Sequence, residues 1–126
     1  MILMVAVGGA FGAVARYGLG GWVQGLLSTS FPLGTLAVNV LGSFVLGFSF
    51  YLLEGLALSA ETRSMVTIGF LGSFTTFSTF SYEAVVLLEG GEWLRGGMYV
   101  GGSLILGLVG VVGGLALGFV VLQARG

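Results

Sequence analysis

No charged residue occurs between Arg16 and Glu54, and this long uncharged segment limits the folds open to the chain. A membrane-spanning helix needs about 20 mainly apolar residues, so the segment is too long for a single span. The polar stretch Ser28–Pro32 interrupts it, and Pro32 suits the first turn of a helix, where an N–H would have no partner. The segment therefore predicts the end of one spanning helix followed by a second.

The composition agrees with a membrane environment. Only 7% of the 126 residues are charged and 56% are hydrophobic, whereas a soluble domain has about 25% charged residues. The net charge of −1 provides no basic patch, which argues against binding to nucleic acid. Lysine, histidine and cysteine are absent, so the chain cannot form disulfides, Cys/His metal sites or histidine general bases. We expect no enzymatic activity.

The apolar stretches predict one all-α integral membrane domain, residues 1–126, with four transmembrane helices. Their approximate ranges are 1–27, 32–53, 64–88 and 96–122. No Lys or Arg precedes Arg16, so the N-terminus lacks the basic region of a signal peptide and belongs to the first span. Four spans place both termini on the same side of the membrane.

The arginines give almost no preference for one orientation. Arg63 and Arg125 fall on the side of the termini, whereas Arg95 and Arg16 fall on the other. Because Lys and Arg in short loops set the orientation, either a partner fixes it or both orientations are inserted. Insertion in both orientations allows an antiparallel, dual-topology homodimer with its two-fold axis in the membrane plane.

Polar side chains inside the spans carry most of the functional information, because they are costly in lipid unless paired. Thr35, Asn39 and Ser43 share one face of the second span, and Tyr99 and Ser103 share a face of the fourth. Asn39 predicts either an interhelical hydrogen bond or a donor lining a pore. The role of Tyr99 stays open, with an aromatic side chain at the membrane interface as one reading.

Two ionisable side chains near the spans leave several roles open. Arg16 predicts a structural anchor at the end of the first span, a cap for the carbonyls of a broken helix, or a contact with a partner. Glu83 lies about one turn beyond Phe80, where a pore mouth, a capping role and solvent exposure are all open.

The third span contains the stretch GFLGSFTTFSTFSYE, residues 69–83, in which hydroxyl groups alternate with phenylalanine rings. Its glycines and threonines weaken a continuous helix, and a break between Gly69 and Thr75 would free carbonyl oxygens that suit a cation. After the break Phe77 and Phe80 share a helix face, flanked by Ser78 and Thr79.

Hydroxyls, an amide and the positive edges of phenyl rings together form a weakly electropositive path for a small anion. Conduction requires binding strong enough for an ion to come in and weak enough for it to leave. The uncharged middle of the third span therefore favours a narrow anion pore over a carrier of high affinity. These arguments do not choose among anions.

Three motifs resemble the successive signatures of the Fluc/CrcB fluoride channel family. They are GGAFGAVARY at residues 8–17, GTLAVNVLGSF at 34–44 and GFLGSFTTFSTF at 69–80. The resemblance implies a passive fluoride exporter of the bacterial cytoplasmic membrane, multi-pass, built as an antiparallel homodimer with two pores.

The resemblance also implies roles for individual residues and for one cofactor. The positions that match the pore lining of the family are Asn39, Phe77, Ser78, Thr79, Phe80 and Ser103. A structural sodium ion, which is not transported, would lie at the dimer centre. It would be bound by backbone carbonyls that match Gly72 and Thr75, at a third helix broken in the middle of the membrane.

Two other functions remain as alternatives. A proton-coupled small multidrug exporter also has four short spans, but it needs a carboxylate in the membrane, and the first two spans contain no Asp or Glu. A non-transporting subunit of a membrane assembly would explain the glycines. It would not explain the clustered hydroxyls and rings of the third span.

Overall fold

A computed structural model of the chain describes all residues from Met1 to Gly126, and it contains helices, turns and no strand. The helices in chain order are α1 (Ile2–Leu26), α2 (Leu33–Gly55), α3 (Ala60–Ser64), a π-helix (Met65–Leu71), α4 (Gly72–Phe74), α5 (Phe77–Glu89) and α6 (Trp93–Arg125). The all-helical class predicted from the sequence is confirmed.

Three helices, α1, α2 and α6, are long and apolar enough to cross a membrane. They correspond to the first, second and fourth predicted spans. Pro32 directly precedes α2, and α6 begins at Trp93, three residues earlier than predicted. The predicted third span, 64–88, is not one long helix but a succession of short pieces from the end of α3 to α5.

Glycines allow these helices to approach one another closely. A methyl group on Gly114 of α6 would overlap the carbonyl oxygen of Phe44 in α2, and one on Gly47 would overlap that of Val111. On the other side of the molecule, Gly12 of α1 packs in the same way against the carbonyl of Phe70 in the π-helix. Backbone therefore meets backbone at these contacts, as small residues permit in membrane helices.

The helical backbone of the third predicted span is interrupted at Thr75 and Thr76, both of which are extended. The prediction had placed the break from Gly69 to Thr75, but Gly69 and Gly72 are helical. Gly69 is buried against α1, where the carbonyl oxygen of Val5 lies 2.6 Å from the place of a Cβ. This packing explains why a glycine that weakens an isolated helix does not end it here.

Few side chains are enclosed within one copy of the chain. Only 19 of the 126 residues are buried, so lipid or other protein must cover most of the apolar surface. The largest enclosed cluster consists of Phe80, Ala84 and Leu87 of α5 with Tyr99 of α6. It holds α5 against α6 next to the interruption.

Candidate functional site

The interruption is held by a pair of hydrogen bonds between Asn39 and Thr76. Asn39 Nδ2 donates to the Thr76 carbonyl at 2.9 Å, and the Thr76 N–H donates to Asn39 Oδ1 at 2.7 Å. The side-chain amide thus satisfies both backbone groups of a residue that has left the helix. The interhelical bond expected of Asn39 is present, and the amide retains a second N–H for another acceptor.

Two carbonyls at the interruption lose the donors that a continuous helix would supply. In an α-helix the Gly72 carbonyl would accept from Thr76 N–H, and the Thr75 carbonyl would accept from Thr79 N–H. Here Thr76 N–H bonds to Asn39, and Thr79 N–H donates to the Thr76 hydroxyl oxygen at 3.3 Å. Gly72 and Thr75 therefore offer carbonyl oxygens to other partners.

Arg16 caps the same interruption from α1. Its Nε donates to the Ser73 carbonyl oxygen at 3.0 Å, across 57 residues of sequence. Among the roles left open by the sequence, the structure shows the cap for carbonyls of a broken helix. The cap joins α1 to the end of α4 with a charge-assisted hydrogen bond.

A groove of about 380 Å³ opens beside the interruption, and we call it the Phe80 groove. No charged residue lines it. Its lining combines aliphatic side chains with hydroxyls, an amide, two rings and exposed backbone, including Asn39, Ser43, Gly72, Thr75, Phe77, Phe80 and Ser103.

The two phenylalanines of the groove differ strongly in exposure. Phe80 is 9% exposed and rests on the buried ring of Tyr99, with centroids 5.2 Å apart. Phe77 is 77% exposed, and its ring centroid lies 5.8 Å from that of Phe80. One ring is therefore fixed by the fold, whereas the other projects outward from this copy of the chain.

The hydroxyl group of Ser103 in α6 is buried without any hydrogen-bond partner in the chain, whereas that of Tyr99 lies beside the Thr35 side chain. The residues lie one turn apart, and Ser103 lines the Phe80 groove. Because buried polar groups are nearly always paired, the orphaned Ser103 hydroxyl indicates a ligand or water. Tyr99 is completely buried, and its ring packs between Phe80 and Phe31.

A second, more polar groove of about 690 Å³ also borders Thr76, and we call it the Arg16 groove. Glu83 lines it and accepts a hydrogen bond of 2.5 Å from the Thr35 hydroxyl. Glu83 is therefore neither free in solvent nor a helix cap. Other polar residues of this groove are Arg16, Gln24, Thr76 and Thr79.

The family resemblance implied eight site residues, six for the pore lining and two for the sodium ion. The structure brings six of these eight together. Those in the Phe80 groove are Asn39, Gly72, Thr75, Phe77, Phe80 and Ser103. Thr79 lines the Arg16 groove, because successive helix positions turn by about 100°. Ser78 is exposed and lines neither groove. The pore-lining roles of these residues stay predictions.

Sequence reasoning missed Gln24, which organises the loop between α1 and α2. Gln24 Nε2 donates to the carbonyls of Thr29 and Phe31, each at 3.0 Å, and its Oε1 accepts from Gly34 N–H. The amide of Asn39 stands out in the sequence because it lies mid-span, whereas Gln24 lies near a helix end. A lone amide beside a predicted loop was the available signal.

Comparison with known proteins adds independent information. The family described as "CrcB-like protein, Camphor Resistance (CrcB)" matches residues 3–115. A protein of one Thermus thermophilus strain, named fluoride-specific ion channel FluC, is 54% identical over 117 residues, covering 92% of this chain and 91% of the relative. Proteins of the same name from another Thermus thermophilus strain and from Hahella chejuensis are 55% and 50% identical; the alignments cover 84% and 92% of this chain, and 85% and 92% of the relatives.

Proposed function

Since this chain belongs to the CrcB family, we propose that it is a fluoride-selective ion channel that lets cytoplasmic fluoride leave the cell passively. The observation that carries the proposal is the Phe80 groove, where donors and ring edges occur without any charged side chain. An anion can be bound there weakly enough to leave. The relatives named fluoride-specific ion channel supply the identity of the ion.

In this function the residues of the groove replace part of the water shell of fluoride. The Ser103 hydroxyl has no partner in the chain, and Asn39 retains an amide N–H, so both can donate to the anion. Phe77 and Phe80 present the positive edges of their rings. Ser78 and Thr79, whose hydroxyls lie outside this groove, would act beside it along the fluoride route.

No chemical energy is needed for export. A membrane potential that is negative inside drives an anion outward with about 2.3 kcal/mol per 100 mV. When acid surroundings favour uncharged hydrogen fluoride, that acid crosses lipid and ionises inside. A passive outlet for the anion then relieves fluoride toxicity.

We further propose a multi-pass protein of the cytoplasmic membrane, with four spans and an antiparallel, dual-topology homodimer. The third span would run from α3 to α5, with the extended Thr75 and Thr76 in the middle of the membrane. Backbone that leaves the helix at that depth must be buried in protein or line a cavity. The exposed Phe77 ring and the even distribution of arginines support a second copy placed upside down over the groove.

The carbonyls of Gly72 and Thr75 fit a structural sodium ion at the centre of such a dimer. Both have lost their helical donors, and oxygen atoms are the ligands that hard cations prefer. Each of the two copies would supply its Gly72 and Thr75 carbonyls to the ion. Such an ion would neutralise the converging carbonyl dipoles and fasten the two interruptions together without being transported.

Fluoride efflux from liposomes tests the main proposal. Purified protein in vesicles loaded with potassium fluoride should release fluoride when valinomycin provides a path for potassium, and vesicles loaded with potassium chloride should keep their chloride. A proton-coupled exporter would instead require a pH gradient. An absence of fluoride release from vesicles shown to contain the folded protein would contradict the proposal.

The sodium ion requires its own measurement, since the flux of fluoride does not report it directly. We expect the dimer to dissociate at a higher temperature in sodium chloride than in choline chloride at equal ionic strength. Equal temperatures in the two salts would remove sodium from the proposal and leave the fluoride channel unaffected.

A further inference from the structure

The first turn of α6 carries an arginine that reaches back to the loop between α1 and α2. Arg95 Nη1 donates to the Ser30 hydroxyl at 3.0 Å, and Nη2 donates to the Thr29 hydroxyl at 3.4 Å. The central carbon of the guanidinium lies 5.7 Å from the centroid of the Phe31 ring, within the range of a cation–π contact. Arg95 therefore fastens three successive residues of the loop.

Phe31 is the first member of a row of rings that leads into the Phe80 groove. Its ring meets Tyr99 edge-on, with centroids 5.6 Å apart and planes at 82°. Tyr99 in turn lies 5.2 Å from Phe80, and Phe80 lies 5.8 Å from Phe77. Every ring contacts the next, so a displacement of Phe31 would give Tyr99 and then Phe80 room to move.

Helix α5 carries Phe77 and Phe80, which we call the groove rings, and it makes few contacts with the rest of the chain. α5 packs chiefly against α6 through Phe80, Ala84, Leu87 and Tyr99, and Phe31 packs against this cluster from the side. We propose that Arg95 is a positioning residue of the channel: it holds Phe31 against Tyr99 and thereby fixes the Phe80 ring in the groove. The inference rests on the proposed fluoride channel function.

The charges around Arg95 favour positioning over attraction of anions from solution. Glu92 accepts a hydrogen bond of 2.6 Å from Arg95 Nη1, which offsets the positive charge. Both side chains are more than a third exposed, so salt would screen what remains of their field. The fixed part of the interaction is the fork of hydrogen bonds to two hydroxyls, made while the guanidinium also contacts the Phe31 ring. The single ammonium group of lysine cannot reproduce this fork.

The test compares Arg95→Gln and Arg95→Lys with wild type in fluoride flux per incorporated dimer. We expect both variants to conduct about fivefold less, the factor that corresponds to roughly 1 kcal/mol. The loss should be the same at low and high ionic strength. Arg63→Gln is the matched control, because Arg63 is exposed and donates only to the carbonyl of Leu58, which lies just before its own helix α3. The flux of this variant should equal that of wild type.

A second pair of variants tests the route through Phe31. Phe31→Leu should lower the flux as Arg95→Gln does, and the double variant should lower it no further, since both changes release the same ring. If the double variant instead loses flux by the product of the two single losses, the two residues act independently and the inference is overturned. So would wild-type flux in Arg95→Lys, or a loss in Arg95→Gln that high salt abolishes, because either result would assign Arg95 to anion attraction.

If Arg95→Gln does not fold, Arg95→Lys and Phe31→Leu provide the same comparison. Wild-type flux in either of these two folded variants overturns the positioning role. Failure of the inference is distinguishable from failure of the proposed function. In the first case the wild-type protein conducts fluoride and the Arg95 variants match it; in the second, the wild-type protein itself releases no fluoride.

Discussion

The two halves of the interrupted segment are held in different ways. From Met65 to Phe74 the chain packs on α1 through backbone, with Gly8 and Gly12 against the carbonyls of the π-helix and Arg16 on the last turn. From Phe77 onward, α5 is held by a few side chains of α6 and its surroundings. Backbone contacts leave little freedom for adjustment, whereas side-chain contacts can be tuned. The second half is the one that carries the groove rings.

Asn39 joins the two halves, so its replacement should have the largest effect. Asn39→Leu leaves the N–H and the carbonyl of Thr76 without partners, at a cost of about 1–3 kcal/mol for each buried group. We expect a protein that unfolds far more readily, measured by thermal melting in detergent. Ser43→Ala, one turn further along α2, is the control and should melt near wild type. Similar melting of the two variants would show that the joint does not stabilise the fold.

The first half should respond sharply to added volume. In Gly12→Ala the new methyl group would overlap the Phe70 carbonyl, and such overpacking costs about 1–3 kcal/mol. Gly18→Ala, in the same helix but with open space around it, should be neutral or slightly stabilising. We therefore expect the melting temperature to fall in Gly12→Ala and to stay equal or rise slightly in Gly18→Ala. Equal shifts would mean that α1 and the π-helix are not in close contact.

The second half should respond in flux rather than in stability. Phe80→Ile removes a ring edge from the groove, and we expect fluoride flux per incorporated protein to fall at least about tenfold, or roughly 1.4 kcal/mol. Phe70→Ile makes the same change in the first half, where the ring stacks on Phe74. That variant should keep the wild-type flux. Equal losses of flux in both variants would erase the functional difference between the halves.

The smallest effect concerns the orphaned hydroxyl of Ser103. Ser103→Ala removes a buried polar group that has no partner in the chain, so stability should stay equal or rise slightly. Fluoride flux should fall by about threefold, which corresponds to roughly 0.65 kcal/mol of lost donation. Ser81→Ala is the control, because the Ser81 hydroxyl already donates to the Phe77 carbonyl. If both variants conduct like wild type, Ser103 does not donate to fluoride.

Much of this architecture follows from local rules of sequence. The apolar lengths predicted α1, α2 and α6, because a membrane demands about 20 apolar residues whatever their tertiary contacts. Helical spacing alone also placed Phe77 and Phe80 side by side. Glycine and threonine weaken helices, so the sequence predicted a break from Gly69 to Thr75, whereas the extended residues are Thr75 and Thr76.

The remaining features depend on contacts that a linear pattern does not contain. Gly69 stays helical because α1 packs on it, and Tyr99 is buried because Phe31 closes over it from a distant loop. The partner of Asn39 is a backbone group, and backbone groups are the same in every residue. The sequence therefore could not identify Thr76 as the partner of Asn39 without the position of the interruption to within one residue.

The π-helix from Met65 to Leu71 has a consequence for insertions and deletions in this chain. A π turn accommodates one residue more than an α turn, so loss of a single residue would restore ordinary winding. Each residue of an α-helix accounts for about 100° of rotation and 1.5 Å of rise. The segment thus works as a spacer of fixed length. Its residue count, more than its side chains, determines the direction in which the following carbonyls emerge.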